Sequence, residues 1–125
     1  VTRFTPPAIT ELAPWEVFVF GSNANGAHAG GAARFALDNF GAVWGQAEGL
    51  QGESYAIDTM SGLDEMAAQV GRFLDFARAN PEITFLVTEI GCGIAGYTAD
   101  QVAGFFSDHP SNVVLPESFH EFITR

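Results

Sequence analysis

Glu16–Gly41 reads EVFVFGSNANGAHAGGAARFALDNFG, and this stretch decides the fold. Glu16 to Phe20 is a short β-branched and aromatic run stopped by Gly21, the pattern of a buried strand. Residues Ser22 to Ala29 hold no side chain of core size. After Gly30-Gly31, Ala32, Phe35, Ala36 and Asn39-Phe40 recur at helical spacing, and Phe40-Gly41 closes that helix. The order is therefore strand, glycine-rich loop, helix.

Strands and helices go on alternating downstream. Gly45 to Glu53 (GQAEGLQGE) is a small-residue loop leading to a strand at Ser54–Ile57. From Leu63 to Ala79 the apolar positions Met66, Val70, Phe73, Leu74 and Ala77 share one helical face, and Asn80-Pro81 ends the helix. Ile83 to Thr88 (ITFLVT) is continuously hydrophobic, as a strand covered on both faces should be. Glu89 to Tyr97 (EIGCGIAGY) is its loop. Thr98 with Gln101 fits a capping box, so a helix is expected through about Phe106. Val113 to Leu115 is a fourth strand and Glu117 to Ile123 a last short helix. Strands alternating with helices predict an α/β fold, a largely parallel sheet between helix layers, with ligands at the carboxyl ends of the strands.

A chain of 125 residues with 47% hydrophobic composition can bury one core, and no linker or repeat divides it. Fifteen acidic residues face five arginines and no lysine, a formal charge of -10. Arg3, Arg34, Arg72, Arg78 and Arg125 are scattered, so general nucleic-acid binding is disfavoured. A small anion is not excluded, because backbone N–H groups hold it independently of net charge. The single cysteine, Cys92, cannot form an intramolecular disulfide. No apolar run approaches the roughly 20 residues of a membrane helix, and no signal-peptide pattern is present; the expectation is a cytoplasmic protein without membrane contact.

Two loops carry the candidate chemistry. In the first, from Gly21 to Gly31, the small residues leave the backbone of Gly21, Ser22, Asn23, Asn25, Gly30 and Gly31 open to an anion near a helix N-terminus. Glycine and asparagine also make tight turns, but this loop exceeds the roughly 2–6 residues a βα connection needs. The second, Gly91-Cys92-Gly93-Ile94-Ala95-Gly96, matches G-x-G-x-x-G between a strand and a helix. Tyr97 fits two roles, stacking on a base or ribose, or packing its ring in the core. Cys92 has no basic neighbour in sequence that would make it a nucleophile.

These two stretches, Val17–Gly41 and Ile83–Gln101 (ITFLVTEIGCGIAGYTADQ), together about a third of the chain, resemble the macrodomain family of ADP-ribose-binding modules. The resemblance implies a three-layer α/β/α sandwich with a mixed, largely parallel sheet and an ADP-ribose-like ligand or ADP-ribosylated substrate. It puts Asn23 where the family's asparagine contacts ribose, Gly30 and Gly31 along the diphosphate and distal ribose, and Gly91, Gly93, Ile94, Ala95, Gly96 and Tyr97 on the second phosphate loop. Many hydrolytic members carry an aspartate two residues after the last glycine of the first loop; here that position is Ala33.

If an ADP-ribosyl bond is hydrolysed, the carboxylate must come from elsewhere. Glu48, in the glycine-flanked middle loop beside Gln51 and Glu53, is the first candidate, with a solvated loop residue as its ordinary alternative. Asp58, ending the second strand, is the next, and a turn or helix cap is its alternative. His28 is a candidate phosphate donor or proton carrier, or a loop histidine turned to solvent. His28, His109 and His120 share no metal-ligand spacing, so neither a metal nor a cofactor is called for. Two other readings compete: a Rossmann-type NAD module using Gly91–Gly96 with Glu117 as ribose partner, for which too little chain follows, and a non-catalytic partner-binding domain.

Overall fold

A computed structural model describes residues 3–123, which leaves Arg125 outside the described residues. The elements are β1 (Glu16–Ser22), α1 (Gly31–Asn39), β2 (Gly49–Gln51), β3 (Ser54–Asp58), α2 (Leu63–Ala79), β4 (Thr84–Val87), α3 (Ala99–Val102) running into a 3₁₀ turn (Ala103–Phe106), β5 (Val113–Val114) and α4 (Glu117–His120). The protein is α/β, with a five-stranded mixed sheet in the order β2-β3-β1-β4-β5. β1, β3, β4 and β5 pair in parallel, and only β2 runs antiparallel, against β3.

β1 shows why its sequence is hydrophobic without alternation. Successive side chains leave opposite faces, and both faces are covered. Val17 and Val19 join a cluster with Met66, Val70, Phe73 and Leu74 of α2. Phe18 and Phe20 join Ala33 and Ala36 of α1, with Phe40 behind them. Phe73 is fully buried against Tyr55, Phe85 and Phe106. Burial of a side chain of this size stabilises by on the order of 2–3 kcal/mol.

Helix ends follow local chemistry. Gly41 adopts φ 77°, and the amide of Ala42 returns to the carbonyl of Ala36, so α1 stops at the glycine as expected. α2 stops at Ala79, before Asn80-Pro81. The Gln101 side chain accepts the Thr98 amide at 2.9 Å, fixing the start of α3. Three expectations need correction. β1 does not stop at Gly21 but runs through it to Ser22, and these two residues pair with Ile57 and Asp58 of β3. The segment Gly49–Gln51 is a strand, not loop, and turns through Gly52 into β3. The last helix ends at His120, short of Ile123.

The chain before β1 has a structural task of its own. Phe4 bridges Leu115 beside β5, and Thr5 donates its amide to Leu115 O and its hydroxyl to Val114 O. The chain then reaches β1, so it passes over β4, which lies between β5 and β1. Ile9 and Leu12 pack against the α1-side cluster along this path. An irregular strap thus covers ground that α1 does not.

Candidate ligand cleft

Because β1 and β4 are parallel neighbours, the loops that follow them leave the same edge of the sheet. They flank one cleft of about 420 Å³, a size typical of small-molecule sites. Gly21 and Ser22 at the end of β1, Asn23 and Gly30 of the first loop and Gly31 at the start of α1 line it on one side, and Gly91, Gly93, Ile94 and Ala95 of the second loop on the other. Thr59 and Met60, just after β3, add a third wall.

The first loop is held from within. Asn23 donates its side-chain amide to Ala27 O at 3.0 Å and accepts the Ala27 amide at 2.9 Å, while the Gly26 amide returns to Asn23 O. Gly26 O in turn accepts the Gly45 amide at 2.8 Å. This folding delivers Gly30 and Gly31 to the start of α1, whose N-terminus has no side-chain cap and no acidic residue in its first turn. The amides of Gly31, Ala32 and Ala33 therefore keep the unsatisfied donors and partial positive charge of a helix N-terminus. The start of α2 differs, for Asp64 and Glu65 stand there.

The second loop turns on itself through Gly96 N to Gly93 O and Tyr97 N to Gly91 O. The amides of Gly93, Ile94 and Ala95 have no acceptor among the described residues. Residues with unpaired amides, from the start of α1 and from the loop after β4, thus line one cleft. No cationic side chain among the described residues joins them. Among the described residues every arginine pairs with a carboxylate: Arg3 with Glu16, Arg34 with Asp38, Arg72 with Glu48 and Glu65, and Arg78 with Asp75 and Asp108. Among the described residues the only charged side chain on the cleft walls is Glu89, which is exposed and accepts the Ser118 hydroxyl.

Several residues singled out from the sequence lie elsewhere. Asn25 is exposed and off the lining, and Gly96 is also outside it. Tyr97 and Cys92 pack against the α2-side cluster. Burial, with Glu89 nearby, pushes the Cys92 thiol above its usual range, so it rests as a thiol at neutral pH. Glu48 does not line the cleft; it forms a fork with Arg72 at 2.8 and 3.0 Å. Asp58 is buried and accepts the Met60 amide and the Ser61 hydroxyl, the work of a turn carboxylate. That turn shapes the Thr59–Met60 wall.

His28 is fully buried, edge-on to the Phe20 ring at 5.1 Å, with Nε2 at 3.1 Å from Gln51 Oε1. Gln51 Oε1 also accepts the Val43 amide, so it acts as an acceptor and His28 carries its proton on Nε2. Nδ1 is left buried without a partner. The histidine is neither turned to solvent nor on the cleft.

Thr59, Met60, Thr88 and Glu89 line the cleft although nothing in their residue types suggested it. Their positions did carry information, since each stands one or two residues past a parallel strand, on the edge where such sheets bind ligands. Among the described residues no group of three His, Cys, Asp or Glu converges as a metal site, and no helix is long and apolar enough to cross a membrane. No family model, curated protein or solved structure matches the chain.

Proposed function

We propose that the chain is a macrodomain-like, three-layer α/β/α module that binds ADP-ribose or a related nucleotide metabolite in this cleft. The observation that carries the reading is the convergence of two sets of free amides, those of Gly31–Ala33 and of Gly93–Ala95, on one cavity. Amide donors to an ionised acceptor contribute about 1.5–3 kcal/mol each. Glu89, being exposed, opposes a phosphate by only about 1 kcal/mol at 4 Å in water-like surroundings. Several amides outweigh one screened carboxylate, so an anion is favoured despite the acidity of the chain.

The reading is of binding before catalysis. Ala33 stands where an activating aspartate would be, and Glu48 and Asp58 are engaged in an ion pair and a turn. Titration calorimetry with ADP-ribose, NAD and ATP tests it. ADP-ribose is expected to bind most tightly, because its distal ribose and diphosphate lie between two loops. Tighter NAD binding would favour the Rossmann reading instead. Binding of none of the three would leave an interaction domain whose glycine loops are architectural.

A further inference from the structure

From Asn23 to Gly31 the one buried side chain is that of His28, and the residues on either side of it, Ala27 and Ala29, line the cleft. The Ala29 amide donates to Ala27 O at 2.9 Å, so His28 stands at the apex of a three-residue turn whose flanks border the cleft while its ring is buried. Resting on the nucleotide reading above, we propose that His28 and Gln51 are positioning residues for the ligand. The His28 ring anchors the first loop to Gln51 of β2, and this anchor holds the cleft wall in its binding shape although neither side chain lines the cleft.

Gln51 is a fixed point. It is buried, and its place on β2 is set by pairing with Ser54, whose hydroxyl donates to Gln51 O at 2.7 Å. Its Nε2 donates to Gln46 O and Gly49 O at 3.1 and 3.2 Å, and its Oε1 accepts the Val43 amide at 2.8 Å. These bonds set the orientation of the side-chain amide, and the same oxygen accepts the proton of His28 Nε2 at 3.1 Å. A main-chain bond from the Gly45 amide to Gly26 O, at 2.8 Å, ties the two segments a second time.

Packing alone does not require a histidine here. The ring meets Phe20 edge-on at 5.1 Å, but an apolar side chain would fill that space too, and it would not leave Nδ1 buried without a partner. What the imidazole adds is the bond to Gln51. The loop has use for it, because Ala24, Asn25, Ala29 and Gly30 are exposed and no other buried side chain holds this stretch. A wall free to move would have to be ordered by the ligand, at the expense of affinity.

The test measures ADP-ribose affinity, melting temperature and amide hydrogen exchange on the wild type, His28→Leu and His28→Gln. Leucine fills the space without a donor, whereas the glutamine side-chain nitrogen reaches about as far as Nε2. His28→Leu is expected to lower affinity at least roughly tenfold and to speed exchange of the Gly45 amide by about as much, with a melting temperature close to wild type. His28→Gln should recover both. Unchanged affinity in a folded His28→Leu protein, or equal losses in the two variants, would overturn the anchor and leave nucleotide binding standing. A wild-type measurement covers the case in which the leucine variant does not fold: the imidazole nitrogen chemical shifts should place the proton on Nε2, and a proton on Nδ1 would overturn the proposal. Failure of the wild type to bind ADP-ribose at all would overturn both readings.

Discussion

Gly26 and Gly93 sit in the two loops that flank the cleft, and the fold needs only one of them to be glycine. A Cβ on Gly26 would lie 2.4 Å from the carbonyl carbon of Gly45, and its φ of 63° is itself strained for other residues. Gly41 and Gly52 form a similar close pair, for a Cβ on Gly52 would meet Gly41 Cα at 2.7 Å. A Cβ on Gly93 would meet nothing within 4 Å, and its φ is not in the left-handed region. Gly30 is the same, with φ -158°, an extended backbone open to any residue. Both Gly30 and Gly93 line the cleft. At these two positions neither space nor backbone demands a glycine, as is also the case at Gly71 and Gly104 away from the cleft. A glycine-rich loop is thus not one signal but two, and only a three-dimensional neighbour list separates them.

The largest effect should fall on the architectural set. Gly26→Ala is expected to cost roughly 3 kcal/mol or more, combining a left-handed backbone with a clash against main chain that cannot rotate away. Thermal melting would then drop by on the order of ten degrees. A melting temperature within two or three degrees of wild type, in calorimetry, would show that the 43–46 segment yields and would erase the contrast.

Gly93→Val should do the opposite. Its fold has room for the side chain, so the melting temperature is expected to stay close to wild type, whereas ADP-ribose affinity should fall at least roughly 30-fold because the added methyls occupy the space beside the free amides. Gly30→Val should behave alike. Unchanged affinity in a folded Gly93→Val protein would remove the second loop from the site.

Much of this architecture was legible beforehand, and the reasons are local. β1 and α2 declare themselves because a strand buried on both faces and an amphipathic helix each impose a pattern within their own length, and Gly41 and Asn80-Pro81 mark ends by backbone chemistry alone. β2 escaped because Gly49–Gln51 is too short for any period, and it pairs only because Gly52 turns it onto β3. The side chains were harder than the loops. His28 stands among small residues, which suggested solvent, yet its surroundings are Phe20 and Gln51, supplied by other strands. Glu48 is flanked by glycine in sequence, but its partner is Arg72 on α2, beyond the strands that carry the cleft. Spacing along the chain told which backbone is open; it did not tell which carboxylate was already taken.

Asn23 tests whether one residue can belong to both groups. Both ends of its amide bond to Ala27, so Asn23→Ala is expected to lower stability by about 1–2 kcal/mol from the two lost hydrogen bonds. Its place on the cleft lining predicts weaker ADP-ribose binding as well, by about 1–3 kcal/mol if a ligand hydroxyl loses its partner. Melting temperature and affinity measured on the same variant separate the roles. Loss of stability with wild-type affinity would place Asn23 wholly with the architectural residues.

The smallest effect is expected at Glu48, and it bears on whether the cleft does chemistry. Its fork with Arg72 is largely at the surface, with side-chain exposures of 30% and 53%, where water and salt screen such a pair. Glu48→Gln keeps the length of the side chain and removes the charge, so the melting temperature should stay close to wild type. ADP-ribose affinity should not change, because the residue lies off the cleft walls. The same variant assayed on Ser-, Glu-, Asp- and Arg-linked ADP-ribosylated substrates gives the sharper reading. Equal turnover by wild type and variant would direct the search for a base to Glu89, the charged side chain that does line the cleft. A marked fall in kcat at unchanged affinity would require the middle loop to leave Arg72 and carry Glu48 to the reacting carbon, and would move it from the framework to the site.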